Sequence, residues 1–537
     1  MPVMTGSDAV VQSLIAEGID LVFGIPGYHS EHLYGRLMQQ DRIRHVLVRH
    51  EQGAGFMAIG VARVTGKPAC VLSTAGPGAL NVATPMGEAY GDGVPLLNIM
   101  AEDLSPYLYQ DKGLVHESKD QFGVFSRLSQ WARQAMSPGE IPGAIHEAMR
   151  RMEVNRPRPT VVEIPLDVFQ GDGPVEILER ETWARPAGDL GDIERAAALL
   201  RDAERPLIWA GGGVINSGAW DELQQVAETL DAPVLTTCSG RGSIPDDHPL
   251  ALTNISTHGP VTRLMERCDA MLAVGAVFPH LITSKWTLPI PERLVHIDID
   301  PSQPGKNYPA EIGIHADAKL ALGALVAALN GGDVDRDDWV DTARTARADV
   351  RRDLSQLAPL EWSLMEIVRE ALPRETIVAC DPHLWGYWAR EHFPIYEPRT
   401  FLYGLQFGTL GYAYPVGLGA KLAAPDRPVV AIGGDGGFLF TGQELATAVQ
   451  LGINVPMVIF NDDAYGAIKE DFVRDYDNAY EVDLVNPDFV RYAESFGAVG
   501  LRANPDNLGD TLRRALELDR PSIIDVPAKL RRPLKVD

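Results

Sequence analysis

Two clusters of glycine and acidic residues carry the strongest chemical signal in the chain. Asp435 lies within the run GGDGG (433–437), and Asp462 follows 27 residues later within NDD (461–463). Apolar runs at 429–432 and 455–460 precede the two clusters, and such runs predict buried parallel strands. The carboxyl ends of neighbouring parallel strands meet at one edge of a sheet, where open α/β sheets bind ligands. We therefore expect both acids to lie in one ligand site.

The residue types in these clusters favour a phosphate group and a divalent cation as the ligands. Glycines let the backbone approach a phosphate and direct N–H groups at it, and the predicted helix at 444–451 adds its positive N-terminus. Asp435 would repel a phosphate unless a cation such as Mg²⁺ or Ca²⁺ lay between them. We predict Asp435, Asp462 and a backbone carbonyl near Ala464 as metal ligands. The alternative is a glycine turn with a solvated acidic loop.

The same stretch resembles the thiamine diphosphate (ThDP) motif, in which GDG is followed by an Asn-rich loop. The resemblance implies that Asp435 binds the Mg²⁺ ion that holds the diphosphate. Asp462 stands where the family usually has Asn, and Asn461 precedes it, so either residue can be the second ligand. The resemblance also implies cofactor contacts from the glycine loop and from the start of the next helix, namely Gly434, Asp435, Gly436, Gly437, Tyr465, Gly466 and Ala467.

A second carboxylate lies between a strand and a helix near the start of the chain. Glu51 follows an apolar run at 45–48 and opens a helix rich in small residues. From this position alone, Glu51 can equally compensate the helix dipole. The surrounding segments resemble the pyrimidine-binding domain of the acetohydroxyacid synthase and 2-oxo acid decarboxylase group: FGIPG, RHEQGAGF, STAGPGALNV and EIPLDV. The resemblance implies that Glu51 contacts N1′ of the aminopyrimidine ring, with cofactor contacts from Pro26, Gly27, Thr74 and Gly76.

The segment from 102 to 125 distinguishes the branches of this group. It contains VHE at 115–117 and KDQ at 119–121, a pattern closer to the 5-guanidino-2-oxopentanoate decarboxylase branch than to acetohydroxyacid synthases. We predict His116 as a proton donor or acceptor, because histidine titrates near neutral pH. Glu117 and Gln121 are predicted as further catalytic residues. The alternative for His116 is a surface-loop histidine bonded to the backbone.

The resemblance covers nearly the whole chain and implies three doubly wound α/β domains with parallel sheets. We expect a pyrimidine-binding, a middle and a diphosphate-binding domain at residues 1–170, 189–330 and 361–530. A Pro/Gly-rich linker at 171–188 and a charged helical linker at 331–360 separate them. In the third domain the resemblance implies cofactor contacts from His383, Leu384 and Gly408, and from Leu410, whose bulk would hold the cofactor in a bent conformation.

The middle region contains HIDIDPSQPGKN, which resembles the middle domain of the same enzymes. The segment 273–286 lacks the Arg-bearing pattern with which acetohydroxyacid synthases hold FAD, so we expect no FAD. Gly211, Gly212 and Gly213 lack the GxGxxG spacing and predict a tight turn between a strand and a helix. His280 is a candidate for contact with the substrate pocket.

Composition narrows the partners of the chain. The net charge of −25 over 537 residues argues against nucleic acid and anionic membranes, which would repel the protein. The four cysteines form no CxxC pair, which favours a reducing, cytoplasmic location without structural zinc. We expect no signal peptide and no membrane span. The family resemblance implies a homo-oligomer, at least a dimer and typically a tetramer, with active sites between the first domain of one subunit and the third of another.

These observations predict a ThDP- and Mg²⁺-dependent enzyme that decarboxylates a 2-oxo acid to an aldehyde and CO₂ without oxidation. Two alternatives stay open, an acetolactate synthase-like carboligation of 2-oxo acids and a catalytically inactive regulatory homologue. Glu51 and Asp435, which an active enzyme needs, are both present. The acids around Glu102, Asp103, Glu117 and Asp120 would suit a substrate with a cationic tail.

Overall fold

The computed structural model describes residues 1–329 and 335–536. Three six-stranded sheets follow one another along the chain, and all strand pairs within them are parallel. Helices cover both faces of such sheets, which is why strands such as Ala69–Ser73 are buried along their whole length. The prediction of three doubly wound α/β units is thereby confirmed. The predicted domain end at 330 and the start of the 331–360 linker lie outside the described residues.

The first unit contains a parallel sheet in the order β3-β2-β4-β5-β7-β6 and a small antiparallel pair, β1 with β8. Its strands are β1 (Val3–Thr5), β2 (Leu21–Gly24), β3 (Arg44–Leu47), β4 (Ala69–Ser73), β5 (Leu96–Glu102), β6 (Trp131–Gln134), β7 (Thr160–Pro165) and β8 (Asp172–Pro174). Its helices are α1 (Gly6–Ala16), α2 (Glu31–Leu37), α3 (Glu51–Thr65), α4 (Pro77–Leu80), α5 (Ala83–Asp92), α6 (Gln121–Arg127), α7 (Ile141–Val154) and α8 (Leu166–Gln170).

The second unit has the strand order β11-β10-β9-β12-β13-β14. Its strands are β9 (Pro206–Ala210), β10 (Val234–Thr236), β11 (Ala251–Thr253), β12 (Ala270–Val274), β13 (Leu294–Asp298) and β14 (Ile312–His315). Its helices are α9 (Leu190–Asp202), α10 (Gly212–Ser217), α11 (Trp220–Leu230), α12 (Gly259–Arg267) and α13 (Ala318–Ala328). Gly211 caps α10 and approaches the backbone of Gly275 closely, in agreement with the predicted tight turn.

The third unit has the strand order β16-β15-β17-β18-β20-β19. Two helices lead into it, α14 (Asp337–Leu357) and α15 (Pro359–Ala371). Its strands are β15 (Ile377–Cys380), β16 (Phe401–Tyr403), β17 (Val429–Gly434), β18 (Met457–Asn461), β19 (Val499–Arg502) and β20 (Ser522–Pro527). The remaining helices are α16 (Leu384–His392), α17 (Ala413–Ala423), α18 (Asp435–Phe438), α19 (Leu445–Leu451), α20 (Gly466–Tyr476), α21 (Phe489–Ser495) and α22 (Leu508–Leu516).

The first and third units share one topology. The order β3-β2-β4-β5-β7-β6 of the first sheet and the order β16-β15-β17-β18-β20-β19 of the third place corresponding strands at the same positions. The chain direction across the sheet therefore reverses between β2 and β4, and again between β15 and β17. Open α/β sheets bind ligands at the carboxyl ends of the strands beside such a reversal. The fold thus offers one ligand site in each unit.

Two local features differ from what the sequence alone suggests. Thr5, and not the neighbouring Ser7, caps the first helix: its hydroxyl accepts the Asp8 N–H at 3.1 Å, and the Asp8 carboxylate accepts the Thr5 N–H at 3.4 Å. This reciprocal pair is a capping box, which satisfies two backbone donors that one hydroxyl cannot. The 171–188 segment is not only a linker, because β8 within it pairs with β1.

The first and third units pack against each other through α3 and α17. A side chain at Gly60 would collide with the carbonyl oxygen of Val416, and one at Gly419 with that of Met57. Glycine at both positions lets the two helices approach to backbone contact. None of the described helices combines the length and the apolar character needed to cross a membrane.

Candidate active site

A cavity of about 290 Å³ opens at the chain reversal of the third sheet. The GGDGG loop borders it at the end of β17. The predicted helix at 444–451 is present as α19, but a separate helical turn, α18, lies between it and this loop. The N-terminus that adjoins the loop is therefore that of α18. All predicted third-domain contacts line the cavity: His383, Leu384, Gly408, Leu410, Gly434, Asp435, Gly436, Gly437, Asp462, Ala464, Tyr465, Gly466 and Ala467.

The carboxylates of Asp435 and Asp462 face each other in this cavity. Burial, and then the neighbouring Asp435, raise the pKa of Asp462 to about 7. Burial also raises the pKa of Asp435, while hydrogen bonds from Asn486 and from backbone N–H groups lower it. Two buried carboxylates at one point repel each other when both are ionised, and a divalent cation between them removes this repulsion. The pair therefore fits Mg²⁺.

Asn461 and Asn486 differ in their relation to this pair. The Asn461 amide donates to Asp525 at 3.2 Å, and its oxygen accepts the Asp463 N–H at 3.2 Å. Asn461 is thus held away from the cavity, and the contacts favour Asp462 as the second ligand. The Asn486 amide donates to Asp435 Oδ2 at 2.6 Å, while its own Oδ1 is buried without a hydrogen-bond partner. Sequence reasoning missed Asn486, which lies 51 residues beyond Asp435 with no spacing to mark it.

His383 presents an unsatisfied ring nitrogen to the same cavity. Its Nδ1 lies 2.9 Å from the carbonyl oxygen of Asp381, and its Nε2 is buried without a partner. The carbonyl can only accept, so Nδ1 carries the proton. Burial lowers the pKa of His383 to about 4. A diphosphate beside Nε2 would favour the charged ring and receive a hydrogen bond from it.

Leu410 and Gly408 also line the cavity. Leu410 is half-buried, and Gly408 has a φ of +70°, a backbone conformation that favours glycine. The half-exposed apolar side chain can pack against a ligand ring. The ring of Tyr465 lies against Gly436, and α20 begins at Gly466 beside Asp462.

Glu51 occupies the first position of α3 in the first unit and is only 8% exposed. Its Oε2 accepts a hydrogen bond from the Asn81 amide at 2.9 Å. A Cβ placed at Gly78 would lie 3.1 Å from Glu51 Oε1 and 2.7 Å from Thr74 Cγ2. Glu51 and Thr74 therefore both lie next to the Cβ position of Gly78. A carboxylate held in this way can accept or share the proton of a ring nitrogen.

The other predicted contacts of the first unit gather at the ends of β2 and β4. Gly27 packs on Thr74, because a Cβ at Gly27 would lie 2.6 Å from Thr74 Cβ. Pro26 precedes Gly27 in the turn after β2, and Gly76 follows β4 with a φ of +59°. These strands flank the chain reversal of the first sheet. The predicted contacts therefore lie at the ligand-binding edge.

His116 and Gln121 reach this edge from the loop after β5. The backbone carbonyl and Cβ of His116 lie directly against Gly76, which has no room for a side chain. Gln121 is buried; its Oε1 accepts the Gly76 N–H at 2.7 Å, and its amide donates to Glu163 Oε2 at 3.0 Å. The structure thus brings His116, Gln121 and Gly76 together. Through these hydrogen bonds the buried Gln121 side chain links the loop after β5 to Gly76 and Glu163.

Glu117 has a different environment from the one predicted. Its carboxylate accepts the backbone N–H groups of Lys112, Gly113 and Leu114 at 3.0, 2.5 and 2.9 Å. These hydrogen bonds lower the pKa of Glu117. The contacts favour a role in holding its own loop, and the catalytic assignment stays a prediction.

A buried histidine–aspartate pair next to His116 was not identified from the sequence. His29 Nε2 lies 3.1 Å from Asp103 Oδ1, and the side chain of His29 is fully buried. The residues are 74 positions apart, so no local spacing pairs them. The only available signal was that each directly follows a predicted strand or its turn.

Within one chain, the two halves of the site remain separate. The cavity around Asp435 is lined by residues between 381 and 530, whereas the side-chain hydrogen bond of Glu51 is to Asn81 in the first unit. Packing of α3 on α17 fixes the two units in this arrangement.

Two further predicted positions lie outside these halves. His280 is exposed and packs edge-on against Trp286 at 5.1 Å. A separate cavity of about 80 Å³ lies at the chain reversal of the second sheet, beside Gly212, Gly275 and Asp298. The expectation that it holds no FAD stays a prediction.

Known protein families match each unit in turn. The description "Thiamine pyrophosphate enzyme, N-terminal TPP binding domain" matches residues 4–124, its central domain 193–325, and its C-terminal TPP binding domain 385–526. The chain is 36% identical over 532 residues to the "Probable 2-ketoarginine decarboxylase AruI" of Pseudomonas aeruginosa, covering 97% of this chain and 94% of the relative.

Acetolactate synthases are similarly close. The "Probable acetolactate synthase large subunit" of Methanocaldococcus jannaschii is 34% identical over 555 residues, covering 97% of this chain and 92% of the relative. The "Acetolactate synthase large subunit" of Corynebacterium glutamicum is 33% identical over 546 residues, covering 97% and 86%. With matches along the whole chain and both halves of the site in place, the protein belongs to the thiamine pyrophosphate enzyme family.

Proposed function

We propose that the protein is a ThDP- and Mg²⁺-dependent decarboxylase that converts a 2-oxo acid to an aldehyde and CO₂. The observation that carries this proposal is the position of His116 against Gly76 at the ligand-binding edge. Release of an aldehyde consumes a proton, and an ionisable ring at this edge can supply it. Similarity to the 2-ketoarginine decarboxylase named above supports the same reaction.

The residues of the third unit would hold the cofactor. Asp435 and Asp462, with a backbone carbonyl near Ala464, would bind Mg²⁺, and the N–H groups of the glycine loop would meet the diphosphate. His383 would donate to a phosphate oxygen, and Leu410 would pack against the cofactor from below. When bound, ThDP supplies an electron sink for the pair released as CO₂ leaves.

The residues of the first unit would act on the other end of the cofactor. Glu51 would share a proton with the aminopyrimidine ring, and the hydrogen bond from Asn81 would hold its carboxylate in place. Pro26, Gly27, Thr74 and Gly76 would shape the edge against which the ring lies. Because the two halves are separate within one chain, we propose an active site between two copies, in a dimer or a tetramer.

Carboligation to an acetohydroxy acid is the second candidate. It is favoured by the acetolactate synthases of M. jannaschii and C. glutamicum, which match 97% of the chain. In that reaction a second carbonyl compound takes the place of the proton. An inactive homologue is disfavoured, because Glu51, Asp435 and the glycine loop are all placed at the ligand-binding edges.

A cationic side chain is the proposed substrate preference. Glu102 and Asp103 are buried at the end of β5, and burial raises the pKa of Glu102. A guanidinium group would compensate these carboxylates. Cytoplasmic location is part of the proposal, and the four buried thiols fit a reducing compartment.

Product analysis with a panel of 2-oxo acids tests the proposal. The protein loaded with ThDP and Mg²⁺ receives pyruvate, 5-guanidino-2-oxopentanoate and other 2-oxo acids, and CO₂, aldehyde and acetolactate are measured. The test variant is Glu51→Gln. The matched control is Glu31→Gln, which alters an exposed acid at the same first position of another helix, α2.

Each outcome decides between the candidates. Aldehyde and CO₂ in equal amounts, lost in Glu51→Gln and retained in Glu31→Gln, would support the decarboxylase. Acetolactate from pyruvate as the main product would replace it with the carboligase. Absence of CO₂ from all substrates tested would overturn both.

A further inference from the structure

The His29–Asp103 pair is a buried acid–base couple that the proposed function does not yet use. His29 Nε2 and Asp103 Oδ1 are 3.1 Å apart, and the two residues are 0% and 6% exposed. The Glu102 carboxylate accepts the Asp103 N–H at 2.9 Å, which fixes the backbone of the pair. Burying such a couple costs free energy, so its position in the fold is informative.

The pair lies at the ligand-binding edge of the first sheet. The backbone N–H of His29 donates to Thr74 Oγ1 at 3.3 Å. Thr74 and Glu51 both lie next to the Cβ position of Gly78. His29 is therefore two side chains away from Glu51. The buried couple thus lies next to the proposed cofactor contacts.

His116 is the neighbour through which the pair can act. The ring centroids of His29 and His116 are 5.3 Å apart, with the planes inclined by 43°. Each ring has a buried Nδ1 without a hydrogen-bond partner. Ring nitrogens that exchange a proton approach to about 2.9 Å, and rotation of the side chains would have to provide this approach. Two adjacent rings that each have a nitrogen without a partner can transfer a proton from one to the other.

Asp103 determines which nitrogen of His29 carries the proton. A carboxylate accepts, so the Nε2–H of His29 donates to Asp103 and leaves Nδ1 as the acceptor in the neutral ring. Burial lowers the pKa of His29, while the Asp103 carboxylate opposes this effect and His116 adds to it. Asp103 therefore offsets part of the burial penalty on the imidazolium of His29, and the Nδ1–H of that charged ring would be free to donate to a neighbouring acceptor.

We propose that Asp103 and His29 are positioning residues that keep His116 supplied with the proton consumed in aldehyde formation. This inference rests on the proposed function. The C–C bond to the carboxylate breaks, its electron pair stays on the former carbonyl carbon, and CO₂ leaves. That carbon takes one proton from His116, and His29 returns a proton to His116. The half-buried His116 then takes a proton from solvent and passes it back to His29, which solvent does not reach. The sum is one 2-oxo acid anion and one proton converted to one aldehyde and one CO₂.

Several charged groups surround the relay. Asp103 and Glu102 face it from the end of β5, Glu117 is adjacent to His116 in the loop, and Glu51 lies beyond Thr74. Tyr28 packs edge-on against His29 at 5.0 Å. Of these, Asp103 is the acid in hydrogen-bond contact with His29, so its removal should have the largest effect.

The test compares Asp103→Asn and His29→Gln with the control His146→Gln. His146 forms a similar pair with Glu17, at 2.7 Å between Nδ1 and Oε1, where α7 meets α1 in the same unit. The first readout is the NMR titration of ring-labelled histidines in the cofactor-free protein, with the His116 signal assigned by its loss in His116→Gln. The second is the pH profile of aldehyde release by the protein loaded with ThDP and Mg²⁺.

In Asp103→Asn we expect the His116 titration midpoint to move down, because a carboxylate that stabilised the charged form of the adjacent His29 is gone. Aldehyde release, which needs the protonated ring, should then decline at correspondingly lower pH. His29→Gln should move the same two readouts, and His146→Gln should move neither. An unchanged His116 titration in both test variants, or an equal shift in the control, would overturn the relay.

The outcomes separate this inference from the proposed function. If the wild type releases no CO₂ from any 2-oxo acid, the proposed function fails and the inference, which rests on it, fails as well. If CO₂ is released but the His116 titration is unmoved, the relay alone fails. His29→Gln provides the test if Asp103→Asn does not fold, as judged by circular dichroism.

Discussion

The Glu444 carboxylate of the third unit accepts the backbone N–H of His50 at 2.9 Å, directly before Glu51. Both of its oxygens also lie within 3.2 Å of the Arg49 N–H. The residues that open α3 are therefore held by a side chain almost 400 positions later in the chain. Loss of this contact would loosen the turn that presents Glu51.

The stability of the protein should depend on the protonation of Glu444. Burial raises the pKa of Glu444 to about 7, against hydrogen bonds from Thr447, Arg49 and His50. Because the folded pKa exceeds the unfolded one, the folded state binds the extra proton between about pH 4.5 and 7. The stability contribution is complete below this window and is lost as pH rises through it.

The thermal midpoint of wild type should therefore fall from pH 5 to pH 8 more than that of Glu444→Gln. One pKa unit corresponds to about 1.4 kcal/mol, so the difference is large enough to measure by calorimetry. Glu31→Gln, an exposed acid at a helix start, should behave as wild type. Parallel pH curves for wild type and Glu444→Gln would contradict the assignment.

Mg²⁺-dependent cofactor binding should require Asp435 and not Asp463. In Asp435→Asn, a neutral amide replaces a carboxylate ligand and the cation affinity falls. Asp463 is an exposed residue next to Asp462 in the loop after β18, with a φ of +53°, and Asn tolerates this conformation. We expect calorimetric ThDP titrations with Mg²⁺ to show at least a tenfold weaker affinity in Asp435→Asn and little change in Asp463→Asn. Equal losses in both would point to general damage of the loop.

Asn486→Ala should weaken cofactor binding without abolishing it. The Asn486 amide orients Asp435 at 2.6 Å, and loss of an outer partner of a metal ligand typically costs about 10–100-fold in metal affinity. The Mg²⁺ concentration needed for half-maximal ThDP binding should rise by about that factor. The matched control is Asn478→Ala, an exposed Asn in the segment before Asn486. A Mg²⁺ requirement unchanged in Asn486→Ala would mean that Asp435 needs no such support.

Sequence reasoning found the parts of the site that local patterns encode. Asp435 and the glycines follow an apolar strand, and this pattern places them at a sheet edge without knowledge of distant contacts. His29 with Asp103, Asn486 with Asp435 and Glu444 with His50 were missed, because each pair joins segments that only the complete fold brings together. The Thr5 cap is different, because the local Thr-x-x-Asp spacing alone indicates it.

Replacing glycine by alanine should change stability in opposite directions at two positions, one in the contact between α3 and α17 and one in the open. An added methyl at Gly419 would collide with the Met57 carbonyl, whereas Gly323 in α13 has no atom within 4 Å of such a methyl. Gly419→Ala must separate the helices and should destabilise the protein by about 1–3 kcal/mol. Gly323→Ala should stabilise it by about 0.5–1 kcal/mol, because alanine loses less backbone entropy in a helix. Thermal unfolding of both variants checks the prediction: a Gly419→Ala midpoint at or above that of wild type would show that α3 and α17 are not in backbone contact.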